Sequence, residues 1–224
     1  MGILIWFFLF VLLSPVEWIA AGKNLVKVRA VTKPLSLFLL ILWFSSLGGW
    51  QQGWLFGLGL VFSLAGDVFL LLSKKMFIFG LFAFLTAHIC YIAGFLLADF
   101  SFSSWFFVPL LFVLGYGIFG YIRIIREIRK KQEYRRLGPA LILYLIMILV
   151  MLFTALTTWF RPSWGFWGAF MASLGAFAFT VSDSMLAFRR FLRYFRFARF
   201  LVMFTYHLGQ LGITAGALIW LKLL

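Results

Sequence analysis

Apolar and polar positions alternate along this chain in long blocks, not in short periods. Eight mostly apolar runs, at about 2–21, 31–47, 54–72, 77–97, 104–122, 138–159, 165–187 and 200–221, are separated by short polar or basic connections. A helix needs roughly 20 apolar residues to cross the hydrocarbon of a bilayer. None of the runs shows the period-two alternation of a barrel strand. Backbone polar groups in lipid must be satisfied within the segment, so each run predicts a transmembrane helix. Little chain remains between them. The pattern therefore predicts an all-α integral membrane protein, an eight-helix bundle forming one transmembrane domain over residues 1–224. The first run resembles a secretory signal, but Met1 to Phe10 contain no Lys or Arg, so it reads as a retained helix.

Composition agrees: 65% of residues are hydrophobic and 12% charged, with a mean hydropathy of +1.08. This excludes an ordinary soluble globule and a disordered chain. The net charge of +14 would suggest nucleic acid in a polar protein. Its placement says otherwise. Eighteen of the twenty Lys and Arg fall in the connections after runs 1, 3, 5 and 7, or just beside them. Arg161 and Lys222 are the two on the opposite side. The positive-inside rule then puts the four basic loops in the cytoplasm, both termini outside, and the chain in a bacterial-type cytoplasmic membrane. Nucleic acid is not expected as a partner. The lone Cys90 falls inside the fourth run and reads as a small core residue.

A short internal match joins runs 3–4 to runs 7–8. Phe62-Ser-Leu-Ala-Gly-Asp67 precedes one basic loop and Phe179-Thr-Val-Ser-Asp183 another, and each is followed by an intramembrane histidine, His88 or His207. Pro34 and Pro139 open runs 2 and 6. The match reads as a parallel 4+4 repeat about an axis along the membrane normal. It would place Asp67 and Asp183 at equivalent positions.

Ionisable residues inside a span are costly and mark function. They are Glu17, Lys33, Asp67, His88, Asp183 and His207. Asp99, Glu127 and Glu133 fall in or beside loops and read as solvated. From a rise of about 1.5 Å per residue, Asp67 lies about 7–8 Å and Asp183 about 6 Å from the basic face. His207 lies at about 10 Å, and His88 at about 16 Å, near the midplane. Tyr91 shares a helical face with His88 and Gln210 one with His207, while Ser182 immediately precedes Asp183. Glu17 is placed to pair with Lys33, unless Lys33 snorkels to the headgroups. Two histidines without a metal-binding spacing predict no metal site and no cofactor.

The order of these motifs is informative. Thr32-Lys33-Pro34-Leu35 opens the second run, Leu64-Ala65-Gly66-Asp67 ends the third, His88-Ile89-Cys90-Tyr91 lies in the fourth, and Val181-Ser182-Asp183 closes the seventh. Together, from Lys33 to the last helix, the chain resembles the lysoplasmalogenase, or YhhN, family of multi-pass membrane proteins. The resemblance implies hydrolysis of the vinyl-ether bond of lysoplasmalogens to a fatty aldehyde and a glycerophospho-base, with Asp67 and Asp183 as the catalytic pair. Lys33, His88, Tyr91, Ser182, His207 and Gln210 are candidate substrate-binding or supporting residues. Lys33, with Arg29, is placed to hold the phosphate. The expected partners are a lysophospholipid and the bilayer. A proton-coupled transporter of a small solute or lipid, using the same carboxylates, is the competing reading.

Overall fold

A computed structural model describes residues 3–97, 103–130, 138–192 and 197–224. Asp99, Lys131, Glu133, Arg135, Arg136, Arg193 and Arg196 lie outside the described residues. The long helices are α1 (Ile3–Gly22), α2 (Val26–Ser46), α3 (Gly49–Leu72), α4 (Phe77–Leu97), α5 (Phe107–Lys130), α6 (Gly138–Leu156), α7 (Gly165–Ala187) and α8 (Ala198–Trp220). All eight are long and apolar enough, alone or with an adjoining helical turn, to cross a membrane. The protein is thus an all-helical, integral multi-pass membrane protein.

Tight turns join the first helices. Asn24 closes α1 with φ 56°, a left-handed conformation that Asn tolerates better than most residues. The amides of Asn24 and Leu25 then reach back to the carbonyls of Ala21 and Ala20, at 3.2 and 2.9 Å. Gly48, at φ 78°, makes the corresponding bend between α2 and α3.

Two helix ends differ from the hydropathy boundaries. α2 begins at Val26 and not near 31, because Lys27 and Arg29 are good helix formers even though they end the apolar run. Pro34 is consequently an interior residue of α2, with no amide to offer the Ala30 carbonyl. Pro139, by contrast, is the second residue of α6, where a missing amide costs nothing. α7 runs on into a π-helical turn, Phe188–Leu192, that carries Arg189 and Arg190. Asp183 lies five residues before the first residue of that turn.

The closest helix pair is α7 and α8, with α3 and α4 next. Between α7 and α8 the backbones touch. A Cβ added at Gly175 would fall 2.3 Å from the Ile213 amide nitrogen, and one at Gly212 would fall 2.6 Å from the Gly175 Cα. Gly209 and Gly216 extend this seam toward Phe179 and Ala172. Small residues let membrane helices approach in this way, where packing must replace the absent hydrophobic drive. Phe179 then projects into the centre of the bundle, against Phe84, His88, Tyr91 and Tyr206 at centroid distances of 6.2, 4.9, 6.4 and 5.6 Å.

At the end away from the basic loops, Arg161 is buried. It donates to the Phe95 carbonyl in the last turn of α4, and to Thr157 Oγ1 at 2.7 Å. A cation at a helix C-terminus satisfies carbonyls that have no partner within the helix. Trp164 stacks on Trp220 beside it, at 5.2 Å.

Gly175→Leu and Gly212→Val should each destabilise the detergent-purified protein by about 1–3 kcal/mol or more, because neither helix backbone can withdraw. Gly115→Ala, where an added Cβ meets nothing within 4 Å, should stay within about 0.5 kcal/mol of the parent. Thermal unfolding of the three variants measures both effects.

Candidate functional site

At the basic end of the bundle, α2, α3, α4, α7 and α8 surround a cavity of about 150 Å³. Asp67 and Asp183 both line it, with Lys33, Ser182 and Tyr206. Arg29, Arg189, Arg190 and Arg199 also contribute to its wall. The cavity therefore combines a cationic wall with two carboxyl groups.

Asp67 comes from the penultimate turn of α3 and is fully buried. Lys33 Nζ lies 2.9 Å from its Oδ1, and Tyr206 of α8 donates to Oδ2 at 2.8 Å. Lys33 is itself only 6% exposed, so it does not snorkel. Its partner is also not Glu17, because a cation this deep takes the carboxylate nearest its own level. Glu17 of α1 instead pairs with Arg29 at 3.0 Å and accepts from Thr32 Oγ1 at 2.5 Å. Arg29, Thr32 and Lys33 lie three and four residues apart, on one face of α2. α2 thus supplies partners to a carboxylate on each side, in α1 and in α3.

Asp183 is 7% exposed and is held from two other helices. Tyr144 of α6 donates to Oδ2, and His88 Nε2 of α4 lies 3.2 Å from the same oxygen. His88 Nε2 and the Tyr144 hydroxyl are 3.3 Å apart, which closes a three-membered cluster.

Sequence reasoning missed Tyr144 and Tyr206. Each is a tyrosine well inside a span, away from the interfacial belts that tyrosine prefers, and a buried hydroxyl wants a polar partner. That was the available signal.

Other expected site residues lie elsewhere. Tyr91 donates to Gln210 Oε1 at 2.6 Å, an α4–α8 tie that does not line the cavity. The Tyr91 ring presses on α3 at Gly59, where an added Cβ would fall 2.2 Å away. His207 faces α1 and accepts from Trp18 Nε1 at 3.0 Å. An indole N–H can only donate, so His207 Nδ1 carries no proton. Ser182 borders the cavity, yet its hydroxyl is donated to the Val202 carbonyl of α8 at 2.9 Å. His88 reaches an aspartate, whereas His207 and Gln210 do not. Among the described residues, no group of three His, Cys, Asp or Glu is placed to hold a metal ion.

Eight apolar helices, with a carboxyl pair and a cationic wall at one end, define a polytopic membrane protein with a buried polar site. The chain belongs to the YhhN family, whose model matches residues 28–217, from the start of α2 to near the end of α8. Neither the comparison with curated proteins nor that with solved structures gives a match.

Removing one member of a buried ion pair strands the other and costs about 3–5 kcal/mol, whereas removing both costs far less. Lys33→Met should therefore destabilise the protein strongly, and Lys33→Met with Asp67→Leu should recover most of the loss. A double-mutant cycle by thermal unfolding measures this coupling, and simple additivity would contradict the pairing.

Proposed function

We propose that the protein is a membrane hydrolase that cleaves the vinyl-ether bond of lysoplasmalogens, releasing a fatty aldehyde and a glycerophospho-base. The observation that carries this reading is that Asp67 and Asp183, from two separate helices, line one cavity beneath a cationic wall. Membership of the YhhN family supports it.

The reaction asks for two carboxyl groups in different states. A vinyl ether is opened by protonating its β-carbon, which produces an oxocarbenium ion at the carbon bonded to oxygen. Water adds to that carbon and loses a proton, giving a hemiacetal. The hemiacetal then collapses to the aldehyde and the alcohol. Glycosidases meet a similar cation with a paired acid and carboxylate.

Asp183 suits the acid. Both of its partners, Tyr144 and His88, contact Oδ2, and both are proton-exchanging groups. Oδ1 remains to deliver the proton to carbon. Asp67, paired with Lys33, suits the carboxylate that faces the cation and takes the proton from the attacking water. In the collapse, the hemiacetal hydroxyl returns a proton to Asp183, and Asp67 gives its proton to the departing alkoxide. The net change is the addition of one water. The phosphodiester would meet the cationic wall, to which Arg29, Lys33, Arg189, Arg190 and Arg199 contribute.

Purified protein given 1-alkenyl-glycerophosphocholine or -ethanolamine should release aldehyde. Asp67→Asn and Asp183→Asn should each lower kcat by about 10²-fold or more, the usual scale for losing an acid or base. Tyr144→Phe should lower it less. No aldehyde from the parent, or full activity in both Asn variants, would overturn the assignment. Solute uptake by proteoliposomes without aldehyde release would favour a proton-coupled transporter.

A further inference from the structure

We infer that the hydrocarbon tail of the substrate leaves the carboxyl cavity between α6 and α7 and lies in the cleft beneath α5, which makes the α5 side the lateral entrance from the bilayer. This deepens the lipid-hydrolase reading and rests on it.

A series of voids traces the path. The cationic cavity shares Asp183, Phe84 and Leu186 with an apolar void of about 40 Å³ between α4, α6 and α7. That void shares Leu141, Tyr144, Asp183 and Ala187 with a second one, also of about 40 Å³, between α6 and α7. The second void shares Leu145 and Ser184 with a cleft of about 210 Å³ under α5. Leu145 also borders a further cleft of about 430 Å³ between α5 and α6, lined almost wholly by aliphatic and aromatic side chains.

Asp183 lies where two kinds of wall meet. Arginines dominate the cavity on one side, and the branch toward α5 is walled mainly by apolar side chains, with Arg190 at its start and Tyr116, Ser184 and Arg123 in the cleft. A single-chain phospholipid has the same order: an anionic headgroup, one ether linkage, then hydrocarbon. Placing the linkage at Asp183 puts each end of the molecule in its matching surroundings. A free water-soluble solute would leave the apolar branch without purpose.

α5 is the helix best able to admit a lipid. Only 22% of its span is buried, against 67% for α8. Its Tyr116 donates to Ser184 Oγ of α7 at 2.7 Å, one residue from Asp183, and so lies across the path. On its inner face Gly120 is nearly open: an added Cβ would meet only Leu145, at 3.8 Å.

Photo-crosslinking in proteoliposomes tests the path directly. The probe is a saturated 1-alkyl-lysophosphocholine with a diazirine at the end of its chain, which carries no vinyl ether to hydrolyse. Labels should map to α5 and α6 around Tyr116, Gly120 and Leu145. Leu145→Trp should reduce labelling about tenfold, the scale expected when two or so methylenes lose their apolar surroundings. Gly120→Leu blocks the cleft from the other wall and should do the same. In the hydrolysis assay, either variant should lower the ratio of kcat/KM for long-chain over short-chain alkenyl substrates by a similar factor. Labels confined to other helices, or labelling unchanged in both variants, would overturn the path. Labelling as expected but no aldehyde from the parent would overturn the hydrolase reading and leave the lipid path standing. Aldehyde release with labels elsewhere would overturn the path alone.

Discussion

A carboxyl group carried into an apolar bundle must be met by polar partners, and the nearest ones belong to other helices. This constraint organises the basic half of the molecule. Asp67 of α3 is met by Lys33 of α2 and Tyr206 of α8. Asp183 of α7 is met by His88 of α4 and Tyr144 of α6. The two helix pairs that carry the aspartates are thereby latched crosswise, since each aspartate is bonded by the second helix of the other pair. Four inter-helix relationships are fixed by two acidic side chains. A bundle held by apolar contact alone would be free to slide, because lipid offers its helices equally good contacts.

Backbone contact at the glycine seam sets the remaining register. Gly175 and Gly212 bring α7 and α8 so close that neither can shift along the other without collision. Tyr206 is then presented at the level of Asp67, and Phe179 fills the space between the two carboxyl clusters. α8 is the most buried helix and α5 the least. The site is thus mounted on a well-packed wall and faces a sparsely packed one.

Much of the architecture was legible in the sequence because the bilayer imposes a coarse rule: eight apolar runs become eight helices. Asp67 and Asp183 stood out for the same reason, as acidic residues where acids are expensive. The partners were harder to read. Tyr206 and His207 are neighbours, and one residue is a turn of about 100° around a helix. Composition cannot say which of the two faces Asp67, so the more obviously chemical His207 drew attention and Tyr206 did not. Lys33 lies within reach of two acids along the chain, and only the three-dimensional arrangement assigns it to Asp67 and leaves Glu17 to Arg29. The burial of Arg161 had no sequence signature, because its partner at Phe95 is a backbone carbonyl.

The pairing of Lys33 with Asp67 also bears on how such a chain enters a membrane. Synthesis proceeds from the N-terminus, so α2 emerges before α3. The costly acid of α3 therefore reaches the hydrocarbon with its cation already on the preceding helix, and the two can cross the energetic barrier as a neutral unit. Asp183 arrives later, when His88 and Tyr144 are both already made. Both aspartates are thus preceded in the chain by a residue able to receive them, so the order of the helices doubles as an order of assembly. Only Tyr206, in the last helix, comes after the acid it serves, and its arrival closes the cavity.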